Sequence, residues 1–61
     1  MGTIIDYNNK KYKIYKIIKG IEYDYVIADF LYKNKWIEVK CLQILIDIAR
    51  FIKKEKLNEK L

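Results

Sequence analysis

At Cys41 the spacing of apolar residues changes from two to nearly four, and no proline interrupts either pattern. Before that point side chains alternate as they do in strands; after it they recur as on a helix. The chain therefore reads as α+β: antiparallel strands over residues 1–40, a helix over 41–58 and a frayed tail at 59–61. Its 61 residues leave room for one domain with one core.

The strand half predicts a small curled sheet of three to four strands in meander order. Thr3-Ile4-Ile5-Asp6-Tyr7 runs into Asn8-Asn9, a pair that tolerates positive φ and suits a tight hairpin. With that pair as the loop, Ile5 faces Tyr12 and Asp6 faces Lys11, both favourable cross-strand pairs. A second tight turn at Lys19-Gly20 would set Ile14 opposite Tyr25 and Tyr12 opposite Ile27. One face would then carry Ile5, Tyr12, Ile14, Ile18, Tyr23, Tyr25 and Ile27, with Lys16 as its only charge. From Val26 onward the third strand is apolar on both faces, and Lys33-Asn34-Lys35 turns it into a fourth strand, Trp36 to Lys40. Phe30, Tyr32 and Trp36 are expected to gather as an aromatic patch on the face away from the main core.

On a helical wheel Gln43, Asp47, Arg50, Lys54 and Asn58 form one polar stripe, and the remaining positions to Ile52 are apolar. That apolar arc spans roughly 220°, against roughly 100–140° for an ordinary surface helix. One small sheet is not expected to cover it. Ile44, Ile48 and Phe51 would form a free ridge, and a second copy of the same helix is its expected cover, making a homodimer. Self-association also answers a size problem. A chain this short buries only roughly 60% of its unfolded surface and usually needs a staple. A single cysteine makes no intrachain disulfide, and without histidine the common zinc sites are out of reach. No metal and no cofactor are expected. Cys41 reads as a small buried hydrophobe in a reducing compartment, with neither a signal peptide nor a membrane span expected, which suggests the cytoplasm.

Catalysis is not expected either. There is no histidine to act as a general base, no serine, and no glycine-rich phosphate loop, since Gly2 and Gly20 are the only glycines. What the chain does carry is charge. It has a formal net charge of +5, distributed as +4 over residues 1–20, −3 over 21–32 and +4 over 33–61. Lysine supplies all but one of the basic residues, and lysine attracts anions at range rather than reading them through paired hydrogen bonds. Lys11, Lys13 and Lys16 with Tyr15 form the candidate anion site, where lysines would follow phosphates while rings stack on bases.

From Lys11 to about Lys54 the order of elements resembles the SH3-like barrels that end in a helix, as in chromo-like modules. The residues that carry the likeness are Tyr12-Lys13-Ile14-Tyr15-Lys16-Ile17, Tyr23-Asp24-Tyr25-Val26-Ile27, Trp36-Ile37-Glu38 and the closing helix. The resemblance implies a small barrel that binds chromatin peptides through an aromatic cage or DNA across a sheet. Asp29 and Phe30 stand where such a cage has a tryptophan, so the barrel is implied more directly than the ligand. Two functions are expected from these observations. One is a small non-enzymatic protein, of the kind phages and mobile elements carry, that binds nucleic acid or a nucleotide. The other is a protein-binding effector that inhibits a host enzyme or defence system as a homo-oligomer.

Overall fold

The computed structural model describes residues 2–60, with side chains through Glu55. Four strands, β1 (Thr3–Tyr7), β2 (Lys10–Lys19), β3 (Asp24–Tyr32) and β4 (Lys35–Glu38), precede one helix, α1 (Leu42–Lys60). The strands form a single antiparallel sheet in the order β1-β2-β3-β4. The α+β meander with a C-terminal helix is thus as the sequence indicates. The sheet is open, and the SH3-like closure does not occur: β1 and β4 remain separate edges. No side chain of the tail expected at 59–61 is described, and Leu61 lies outside the described residues.

Local chemistry sets two of the three turns. Asn8 and Asn9 have φ of 53° and 63°, and Lys33 and Asn34 have 48° and 65°. Two successive residues of positive φ match the right-handed twist of the flanking strands, which explains the asparagines. The first hairpin consequently pairs Ile5 with Tyr12 and Asp6 with Lys11 in the expected register.

The second hairpin departs from expectation. Its loop is longer than Lys19-Gly20, with the Gly20 N–H donating to the Tyr23 carbonyl at 3.1 Å. A Cβ at residue 20 would collide with that carbonyl oxygen, so glycine is required by close approach. Lys19 therefore pairs with Asp24, Ile17 with Val26 and Lys16 with Ile27. A bulge between Ile14 and Lys16 then shifts the register by one residue, so that Ile14 faces Ala28 and Tyr12 faces Phe30, rather than Tyr25 and Ile27. The bulge turns Lys16 outward and removes the charge from the core face. As a result Val26 and Ala28 enter the core, and Ile27, expected inside, is 48% exposed.

Helix α1 packs over β3, with Tyr12, Ile14, Val26, Ala28, Val39, Ile48 and Ala49 as the buried cluster. Ala28 and Ala49 are both small, which lets helix and strand approach closely. Ile5, Tyr7, Phe30, Ile44, Leu45 and Ile52 pack around that centre. Ile48 is fully enclosed (0% exposed), and Ile46 is only 7% exposed. Residues two apart on a helix point about 200° from each other. The single chain thus covers most of the wide apolar arc, and among the described residues Leu42, at 47%, and Cys41 ahead of it are left open. Ile48 is core and not part of a free ridge, while Ile44 and Phe51 are half-buried, Phe51 lying 5.2 Å from the Tyr7 ring. Cys41, expected inside, is exposed just ahead of the helix, where its carbonyl accepts from the Leu45 N–H at 3.2 Å.

Candidate open-sheet binding face

A sheet covered by one helix leaves its other face bare, and the register determines what that face shows. β1 contributes Ile4 and Asp6, and β2 contributes Lys11, Lys13, Tyr15, Lys16 and Ile18. Across from them β3 places Tyr25, Ile27, Asp29 and Leu31, and β4 adds Trp36 and Glu38. Every residue of the expected anion site therefore lies on this face, and Trp36 joins it. Phe30 and Tyr32 do not. They share the helix side, with ring centroids 6.3 Å apart, because Phe30 pairs with Ile37 while Trp36 pairs with Leu31. The expected three-ring patch is split between the two faces by strand alternation.

Two contacts organise the centre. The Lys13 ammonium sits 4.6 Å from the centroid of the Trp36 ring, a distance at which the ring quadrupole attracts a cation. The Tyr15 hydroxyl donates to the Asp29 carboxylate at 2.6 Å. Residue 15 reaches Asp29 because the bulge sets two successive side chains, Tyr15 and Lys16, on the same side. At the β1 edge Lys11 pairs with Asp6 at 3.1 Å, an exposed ion pair that fixes geometry more than it stabilises.

Lys11, Lys13 and Lys16 are offset on the same face by Asp6, Asp29 and Glu38. The face is consequently near neutral, and the excess positive charge of the chain lies elsewhere. Between these charges runs apolar surface: Ile4 is 56% exposed, Ile27 is largely open, and Leu31 and Trp36 are half-buried. Ile27 was not evident from alternation alone, because without the bulge its row falls on the core face; the bulge signal is a lysine in an otherwise apolar alternating run. On the helix side a cavity of about 160 Å³ lies among Lys10, Tyr12, Phe30, Val39, Lys40, Cys41 and Ile44. Among the described residues no set of three carboxylate or thiol groups is gathered as a metal would require. None of their helices is long and apolar enough to cross a membrane.

The Tyr15–Asp29 bond has a consequence in alkali. Donation to Asp29, then desolvation and the carboxylate's charge, hold the Tyr15 phenol above its usual value of about 10. Tyr12 is raised as well, chiefly by burial and then by Tyr7. A raised pKa means that the folded state binds the proton more tightly than the unfolded chain. The stabilisation is intact below about pH 10 and disappears as pH rises through the raised values. Ultraviolet titration is expected to show late-ionising phenols, and Tyr15→Phe should remove one of them. A Tyr15→Phe curve that keeps every late component would contradict the Asp29 bond.

Compared with known proteins, the chain matches no family model, no curated protein and no solved structure.

Proposed function

We propose that this protein is a non-enzymatic binding module whose open sheet face covers a surface of a partner protein, acting as a small effector or inhibitor. The observation that carries the reading is the composition of that face. Exposed Ile4 and Ile27 and half-buried Leu31 and Trp36 are interleaved with Lys11, Lys13 and Lys16 against Asp6, Asp29 and Glu38. Contiguous apolar and aromatic surface ringed by paired charges is how protein interfaces are built. A phosphate backbone instead asks for uncompensated positive charge, and here the three lysines of the face are matched in number by three carboxylates, with Lys11 held by Asp6 at 3.1 Å. A single exposed thiol suits a reducing compartment such as the cytoplasm.

The test is photo-crosslinking from inside the face. A benzophenone side chain replacing Ile27 in the cells that express the protein is expected to give an adduct with another protein. The same group at Tyr32, 51% exposed on the helix side, should give none. Nuclease-sensitive adducts at residue 27 would replace the protein reading with the nucleic-acid one. Equal labelling from both positions would remove the face as the site.

A further inference from the structure

We infer that β1 pairs antiparallel with β1 of a second copy, merging two sheets into one of eight strands. β1 is an edge, and among the described residues no backbone bond links its outer side to another segment. Edge strands invite pairing unless they are short, charged or interrupted by proline. The two edges of this sheet differ in that respect. β4 has four residues, begins at Lys35 and is flanked by Lys33 and Lys40, and these lysines blunt it. β1 is Thr-Ile-Ile-Asp-Tyr, without lysine or proline, and its one charge, Asp6, is held by Lys11 at 3.1 Å.

A two-fold axis through Ile5 uses the whole strand: Ile5 meets its own copy, Ile4 meets Asp6, and Thr3 meets Tyr7. No like charges are opposed. Antiparallel partners share a face, so both helices lie on one side and both open faces on the other. Each helix packs over its own β3. From one β3 to the other there are five strand spacings, roughly 24 Å, while a helix is only about 10–12 Å across. The helices therefore clear each other. The seam brings Ile4 of both copies beside each other's strand and makes the two binding faces continuous. It also gives a domain without disulfide or metal a stabilising partner through mass action. This pairing stands whether or not the open face binds a protein.

Sedimentation equilibrium of the full chain at micromolar concentration is expected to give twice the 7.4 kDa monomer mass. Amides of β1 should exchange with solvent more slowly as the protein is concentrated, and those of β4 should not respond. With Cys41→Ser as background, oxidation of Ile5→Cys should yield a covalent dimer, since that residue faces itself, and Asp6→Cys should not. If Ile5→Cys does not fold, the exchange of wild-type β1 decides the question. A monomer at every concentration would overturn the pairing, as would a dimer whose β1 amides exchange independently of concentration.

Discussion

Alanine in place of Ile48 is expected to remove about 2–5 kcal/mol of stability, the range for truncating an enclosed aliphatic side chain. Ile48 is 0% exposed and belongs to the cluster with Val26, Ala28 and Ala49. The helix cannot slide to fill the void, because small residues already hold it close to β3 and Phe51 is engaged with Tyr7. A domain of this length has roughly 3–9 kcal/mol in total, at ~0.05–0.15 kcal/mol per residue. The variant should therefore be unfolded or close to its midpoint at room temperature. Leu42→Ala, on the exposed part of the same helix, should change stability by only about 0.5 kcal/mol. Urea unfolding followed by Trp36 emission measures both. Were Ile48 instead part of a helix–helix seam, its cost would shrink as the protein is diluted. A cost that is the same at every concentration is the expected result.

The contrast between Ile48 and its neighbours shows where sequence periodicity stops informing. Elements and their order follow from local chemistry that the chain states openly. Asn8-Asn9 accepts positive φ, Lys33-Asn34 does the same less comfortably, and the change of period at Cys41 separates sheet from helix. Facing is different, because it depends on register, and register depends on one loop and one bulge. The Gly20–Tyr23 loop is set by a single backbone bond, and the bulge at Tyr15 by where β2 must bend. In β3 both rows are rich in apolar residues, and Asp29 is the one charge that separates the row of Tyr25, Ile27 and Leu31 from that of Val26, Ala28 and Phe30. Lys16 held the clue: a charge in an otherwise apolar row is costly, and a bulge that expels it is cheap. The facing of the helix escapes periodicity for a related reason. A wheel gives the width of an apolar arc, but not how much of it a sheet and its loops enclose, and here they enclose Ile46 as well as Ile48. Lys11 and Lys13 were legible because their row is polar in any register, whereas Lys16 joins them only through the bulge. The carboxylates that neutralise them were not, because Asp29 and Glu38 reach the face only through tertiary pairing.

Trp36→Ala is expected to weaken partner binding by at least about 2 kcal/mol, some thirty-fold, while reducing fold stability by only about 0.5–1 kcal/mol. Trp36 lies outside the core cluster, beside Leu31 and beneath the Lys13 ammonium at 4.6 Å. Removing the ring loses that contact and little else from the fold. At an interface the same ring is worth more, since tryptophan combines a large apolar area with few rotatable bonds and can be wholly desolvated by a partner. Lys13 reinforces this: resting on the ring, its stem extends the apolar surface while its charge remains at the rim. Tyr32→Ala separates the open face from aromatic surface in general. Tyr32 is also an exposed ring on β3, but it lies on the helix side next to Phe30. Its removal should leave the adduct formed from position 27 undiminished, whereas Trp36→Ala should abolish it. Thermal melts of both variants must show that each still folds. If Tyr32→Ala weakened binding as much as Trp36→Ala, the partner would have to wrap the sheet edge, and the open face would no longer define the site. Trp36 is the only tryptophan in the chain, so its emission reports directly on the occupancy of that face.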